Sequence, residues 1–316
     1  MGPTRCSITD SCHNGEMALP PRAPVIDLML GIPSLHQKES YDFMRPLFRD
    51  AESLRSFDFP AEYMFKDFPR IGPQDDYAAY TVSLMDAVGI RAALLGVSAK
   101  NEVALRALRD YPTRFVPEMM VSANGGMEAV RELERMDAQV DLAAVSAFPS
   151  GYFPQVPLAD KAFYPLYACM VERGLPFFVC VGVPGPRIPM APQLVEQLDE
   201  LCWAFPELKV VMRHGAEPWT DLAVKLMLKY PNLYYSTSAF APRHYPRAII
   251  DYANTRGADK VMYAGYFPAG LTLARIFDEL PSVPFADHVW PKFLYQNATR
   301  VLRRLPTDFP VGDQLG

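Results

Sequence analysis

Long hydrophobic runs are missing from this sequence. No stretch reaches the roughly 18 apolar residues that a membrane span needs, so the chain is expected to stay out of the bilayer. Residues 1–22 hold no apolar segment of the kind a secretory signal carries. A basic excess is missing as well. The net charge is −5 and no basic run exceeds Arg303-Arg304, which argues against nucleic acid as a partner. The five cysteines (Cys6, Cys12, Cys169, Cys180, Cys202) are odd in number, irregular in spacing and without a Cys-x-x-Cys pair. A disulfide framework is therefore not expected, and a cytoplasmic chain with free thiols is. No glycine-rich phosphate loop or dinucleotide motif occurs, and Pro-Gly-Pro at 184–186 reads as a rigid turn. Histidine is scarce: only His13, His36, His214, His244 and His288.

What is present is a rhythm. Residues 1–22 read as a polar tail. From residue 24, short β-branched or apolar runs alternate with segments of helical period. The runs are PVIDLML (24–30), RAALLGV (91–97), RFVPEMMV (114–121), VDLAAVSAF (140–148), LPFFVCVG (175–182), LKVVMRHG (208–215), NLYYSTSAF (232–240) and KVMYAGYF (260–267). Helices are expected over 75–89, 101–111, 126–136, 159–174, 191–205, 218–230, 247–257 and 271–280. Asn101 and Asp160 stand at N-cap positions, and Gly89 and Gly174 where helices stop. Eight strand–helix repeats point to an α/β fold, a (β/α)8 TIM barrel, with a doubly wound open sheet as the alternative. Two features exceed a minimal barrel. Residues 31–74 form a long insertion after strand 1, rich in Phe, Tyr, Met, Arg and Asp, and read as a lid over the strand tips. Residues 287–306 read as an extra C-terminal helix closing a barrel that spans 23–306, with 307–316 as a frayed tail.

In such a barrel the site forms at the C-terminal ends of the strands. The residues there are Asp27 and Met29, Ser98, Glu118, Ser146, Cys180, Arg213 and His214, Ser236 and Ser238, and Tyr266. VVMRHGAEPW (210–219) is the most informative stretch. A histidine at a strand tip, beside the amides of a helix start, is placed for acid–base work; a histidine hydrogen-bonded within the rim is the competing reading. Side chains alternate along a strand, so Arg213 and His214 face the same space only if the tip bulges. Arg213 is a candidate clamp for a substrate carboxylate.

PVIDLML, LADKAFYPLYACMVERGLPFFVCVG, PELKVVMRHGAEPW, PNLYYSTSA, ADKVMYAGYFP and FLYQNATRVLRRL, in this order and spacing, resemble the amidohydrolase superfamily over residues 24–304. The similar branch contains aminocarboxymuconate-semialdehyde decarboxylase and related hydratases and hydrolases. The resemblance implies a metal site, and this sequence departs from it at every ligand. The two histidines of Asp-x-His-x-His fall on Met29 and Gly31, the strand-five histidine on Cys180, and the strand-eight aspartate on Tyr266. A thioether, a bare glycine, a thiol and a phenol do not make the usual N/O site. The strand-six histidine, often acid–base or substrate-polarising in this branch, matches His214.

The resulting expectation is a metal-independent hydrolase or lyase without a cofactor. It would act on a small carbonyl, ester, lactone or carboxylate substrate. His214, Tyr266 and Asp27 are the catalytic candidates: acid or base, hydrogen-bond donor and orienting carboxylate. Arg213, Cys180, Met29 and Ser238 are the substrate-binding candidates, with an arginine of the lid as a second anion holder. Cys180 as a nucleophile competes with Cys180 as a small core-like residue. The alternative from another class is a non-catalytic ligand-binding pseudoenzyme. A conventional metal hydrolase is the third reading, and the four changed ligand positions oppose it; a replacement metal site of His36, His214 and His244 would need three loop-borne ligands to meet. A small molecule is the expected partner, and the resemblance implies a homodimer.

Overall fold

The computed structural model of the protein describes residues 23–34, 37–55 and 59–309. Eight parallel strands follow one another around the sheet in sequence order. They are β1 (Val25–Asp27), β2 (Ile90–Val97), β3 (Phe115–Met120), β4 (Ala144–Ala147), β5 (Phe177–Cys180), β6 (Val210–Arg213), β7 (Leu233–Ser236) and β8 (Val261–Met262). Seven of the eight runs read from the sequence contain their strand, and β2 begins one residue before its run at Ile90; most ladders stop short of the run's end. The tip residues leave the sheet to form the loops of the mouth.

A parallel strand is buried on both faces, which is why these runs are apolar throughout and do not alternate. Ile26, Leu28, Leu94, Val116, Phe178, Val211 and Met262 form one buried cluster inside the barrel. Val25, Leu95, Phe115, Val145, Phe177, Val210 and Tyr235 face the helix layer in a second, larger cluster.

That layer holds α1 (Ala51–Arg55), within the insertion, then α2 (Tyr77–Val88), α3 (Glu102–Asp110), α4 (Met127–Val140), α5 (Tyr164–Glu172) and α6 (Gln197–Ala204). It continues with α7 (Thr220–Lys229), α8 (Arg247–Tyr252), α9 (Leu273–Glu279) and α10 (Asn297–Val301). Asn101 caps α3, accepting from the Ala104 N–H at 3.0 Å, and Asp160 accepts from the Ala162 N–H at 2.8 Å in the turn that leads into α5. None of the helices among the described residues is long and apolar enough to cross a membrane.

Three details position the site. First, Asp27 joins the two ends of the sheet. Its Oδ1 accepts from the Gly265 N–H beyond β8 (2.8 Å) and from the Met29 N–H (2.9 Å), while the Gly31 N–H donates to the Phe267 carbonyl (2.8 Å). Gly265 is required by that approach, because a Cβ there would stand 2.5 Å from Asp27 Oδ2. Second, the described part of the insertion buries Met44, Phe48 and Phe59 and lays Phe59 and Phe65 against Tyr266, each ring centre 5.8 Å away. Third, α10 is tied to β8 by Asn297 Nδ2, which donates to the Ala258 and Val261 carbonyls. Of the segment read as a tail, residues 307–309 are described. Phe309 is buried in the interior cluster with Ala298, Val301 and Leu302, so the apolar ring offsets the entropy of ordering the chain. Residues 1–22 and 310–316 lie outside the described residues.

Candidate active site

The tip of β6 is built from three consecutive residues with left-handed backbone: His214 (φ +64°), Gly215 (φ +84°) and Ala216 (φ +55°). For His214 and Ala216 this costs energy, of order 1–3 kcal/mol each, and such strain clusters at functional sites. Gly215 is fixed by packing as well, since a Cβ would meet the Phe240 ring at 2.3 Å. The turn resolves the alternation problem posed by the sequence. Arg213 points into the barrel, and the reversal at His214 brings that ring edge-on to Tyr266 (centres 5.3 Å apart).

Arg213 is buried and held. Nη1 donates to Glu118 Oε1 (2.9 Å), and Nη2 donates to Glu118 Oε2 (2.5 Å) and to the Leu28 carbonyl (2.8 Å). The guanidinium carbon lies 4.8 Å from the centre of the Phe178 ring. A clamp that grips a carboxylate with both terminal nitrogens is therefore excluded while Glu118 occupies them. Nε has no hydrogen-bond partner among the described residues.

His214 is half-buried. Its N–H donates to Ser238 Oγ (3.1 Å), and Ser238 Oγ stands 3.3 Å from Nδ1. With the ring proton on Nε2, Ser238 Oγ donates to Nδ1; with the proton on Nδ1, the ring donates to Ser238 instead. Burial and the charge of Arg213 push the imidazolium down to about 3, so the ring is neutral near neutral pH. Ser238, expected to bind substrate, is fully buried, and its hydroxyl faces His214.

Asp27 is fully buried, and burial pushes its carboxyl up to about 6 against the two backbone N–H bonds, the Tyr263 hydroxyl and Arg213. Its Oδ2 and the Tyr263 hydroxyl both lie beside Gly265, and neither reaches full hydrogen-bond geometry with a partner. Burial also lifts the Tyr266 phenol well above its usual range. Cys180 is buried, and burial pushes its thiol up to about 12, which favours the small core-like reading over the nucleophile. Met29 is half-buried against the interior cluster. His244 is exposed and accepts from Arg243 Nε, and His36 lies outside the described residues. The structure thus gathers Asp27, Arg213, His214, Ser238, Cys180 and Tyr266 at one end of the barrel. Sequence reasoning named Glu118 as a tip residue without giving it a role. An acid and an arginine at the tips of two strands were the available signal.

A family model described as amidohydrolase matches residues 52–304. The chain belongs to the amidohydrolase family. No curated protein matches it. Among solved structures, this amidohydrolase is similar to an uncharacterized TIM-barrel protein of Bordetella bronchiseptica (21% identity, 88% of this chain and 98% of that one, TM-score 0.67). It is also similar to a dihydroxybenzoic acid decarboxylase of Polaromonas with bound manganese (17%, 89% and 97%, 0.61). A probable 2-pyrone-4,6-dicarboxylic acid hydrolase of Acinetobacter baumannii matches at 14%, with 88% and 98% covered and a TM-score of 0.61. At these identities the likeness shows the fold.

A divalent ion does not fit the donors of this amidohydrolase. Met29 and Gly31 offer a thioether and no side chain where the family has histidines, Glu118 is paired with Arg213, and that permanent cation acts on both Cys180 and Tyr266. Among the described residues, no group of three His, Cys, Asp or Glu side chains is arranged to hold a metal.

Proposed function

We propose that the protein is a metal-independent enzyme of the amidohydrolase fold, a lyase or hydrolase acting on a small carbonyl or carboxylate substrate, with His214 as its acid–base residue. The observation that carries this reading is the His214–Ser238 pair. A neutral imidazole with its proton on Nε2 is a hydrogen-bond donor and a proton source, the form that polarises a carbonyl or protonates a carbon as a neighbouring bond breaks. The same tautomer has no free lone pair with which to deprotonate water. Decarboxylation, which needs a proton donor and no base, is therefore favoured over hydrolysis. The C–C bond to the carboxylate breaks, its electron pair stays on the substrate, and His214 Nε2 delivers the proton that solvent then restores. Tyr266 is the second donor, and the rings of Phe59 and Phe65 suit an apolar or aromatic substrate body. The names of similar structures, a dihydroxybenzoic acid decarboxylase and a probable pyrone dicarboxylic acid hydrolase, support the same two reaction types. A homodimer is expected in solution.

The competing reading is a ligand-binding barrel without turnover. It is favoured by the aromatic cover on Tyr266. It is favoured too by a groove of about 770 Å3, which lies beside the insertion between Leu47, Tyr63, Phe153 and Pro184. His214→Gln decides between the two. Screened against aromatic carboxylic acids, activated esters and lactones, the variant should fold normally and lose about 10²-fold or more in kcat. No turnover by the wild type across the panel would favour the binding protein. Close to one equivalent of manganese or zinc by elemental mass spectrometry, on protein purified without chelator, would overturn metal independence.

A further inference from the structure

The strand tips of this barrel converge on a guanidinium. Arg213 comes from β6 and is gripped by Glu118 of β3, by the Leu28 carbonyl beyond β1, and by the face of the Phe178 ring of β5. Its charge acts on Asp27, Cys180, His214 and Tyr266. Two of those, Cys180 and Tyr266, stand at positions where the family resemblance puts metal ligands.

One donor of this cation is left over. Nε is buried and unpartnered, on a side chain that is 5% exposed. An unpaired N–H on a buried cation is costly, and native proteins cover such groups with a ligand oxygen or an ordered water. Glu118 fixes the plane of the guanidinium through two parallel bonds, so the direction of Nε–H is fixed with it. The pair then resembles a metal centre in two respects, a permanent positive charge and a directed donor without a protein partner among the described residues. It differs in a third: a guanidinium has no coordination site at which water is turned into hydroxide.

We propose that the Arg213–Glu118 pair has taken over the place of the divalent ion in this barrel, as a fixed cation whose Nε–H receives one oxygen of an anionic substrate group. Glu118 is a positioning residue: it touches no substrate and holds Arg213. This deepens the metal-independent reading of the previous subsection and rests on it. It also narrows the chemistry, because a cation that binds an oxyanion without activating water serves a lyase step better than a hydrolytic one.

The test reads Arg213 directly. In full-length 15N-labelled protein, the Arg213 Nε–H resonance is identified by its loss in Arg213→Lys, and benzoate and MnCl2 are titrated in separately. Benzoate should shift that resonance saturably in the wild type. Glu118→Gln should weaken benzoate binding by about tenfold or more while leaving the other arginine resonances in place. Stoichiometric Mn2+ should leave the resonance sharp. A wild-type resonance that benzoate does not move, or one that a single equivalent of Mn2+ broadens away, overturns the proposal. Both titrations use the wild type, so the answer survives a failure of either variant to fold; Nε–H is then assigned by through-bond correlation along the side chain to the Arg213 backbone amide. The result also stands apart from turnover. A benzoate shift alongside full activity of His214→Gln would sink the acid–base reading and leave this one standing.

Discussion

The two ends of the barrel each carry an acid–arginine cluster, and the two are finished differently. At the bottom, Asp137 near the end of α4 takes Arg303 Nη1 and Nη2, Arg173 Nη1 and the Leu142 N–H. Arg303 also reaches Asp141, and its own N–H donates to the Ala143 carbonyl just before β4. Both oxygens of Asp137 are thus partnered, and the cluster ties the segment after α10 to the barrel. At the mouth, the Glu118–Arg213 pair is drier and leaves Nε over, while Asp27 keeps an unpartnered Oδ2. A saturated cluster at the bottom of a barrel contributes stability. An unsaturated one at the mouth retains the donors that chemistry needs, at a cost in stability.

The harshest way to break this contrast is Glu118→Ala. It strands a buried guanidinium, and the loss expected is about 3–5 kcal/mol in urea unfolding. The double variant Glu118→Leu with Arg213→Met should recover most of that loss, because it removes both charges together and takes a partner only from the Leu28 carbonyl. A small effect of Glu118→Ala would mean that water reaches the pair, and the mouth would then resemble the bottom.

The barrel was legible in the sequence because its burial is legible. Eight apolar runs separated by capped helical segments leave few alternatives, and Asn101, Asp160 and Gly89 mark the boundaries by local chemistry that needs no tertiary context. The mouth was half legible. His214, Asp27 and Tyr266 could be named from position, but the direction of Arg213 could not. Strand alternation predicts opposite faces for residues 213 and 214, and three left-handed residues at the tip of β6 override it. Ser238 read as a pocket residue because sequence does not show that the His214 N–H and ring both converge on its hydroxyl. Phe309 read as tail because one aromatic residue in a polar stretch carries no period.

The same substitution made at each end sharpens the comparison, because its sign should differ. Asp27 titrates near about 6 in the folded protein against 3.8 ordinarily, so the folded state holds the proton more tightly. Its contribution to stability therefore falls as pH rises from about 4 to about 6, and above that the penalty is about 3 kcal/mol. Asp27→Asn keeps an acceptor for the Gly265 and Met29 N–H groups and removes the charge. The variant should be the more stable one at about pH 8 and match the wild type near pH 4. Asp137 is the reverse. Burial raises it, but the bonds from Arg303 and Arg173 outweigh burial and hold it below the usual range. Its stabilisation is present above the ordinary carboxylate pKa and is lost as pH falls through the lowered value. Asp137→Asn should therefore cost about 2 kcal/mol at neutral pH. Two losses of similar size would show that Asp27 is a stabilising group like Asp137.

The smallest effect expected is a slope, and it comes from His214. Its imidazolium is pushed down to about 3 by burial and by Arg213, while an unfolded histidine takes up its proton near 6.5. The unfolded state binds more protons between those values, so this residue's contribution is whole above 6.5 and is lost as pH falls. The ring is half-exposed, and solvent reduces the size of that loss without changing its direction. In the window from about pH 4 to about pH 6, Asp27 and His214 therefore push oppositely, and the wild type should look flatter than either variant. Asp27→Asn should lose stability more steeply toward acid. His214→Gln, left with Asp27 alone, should gain stability toward acid across that window, read as urea midpoints at matched ionic strength. A histidine on the open rim would show no slope to remove, so an unchanged profile in His214→Gln would place the ring in water and take away the neutral donor on which the lyase reading depends.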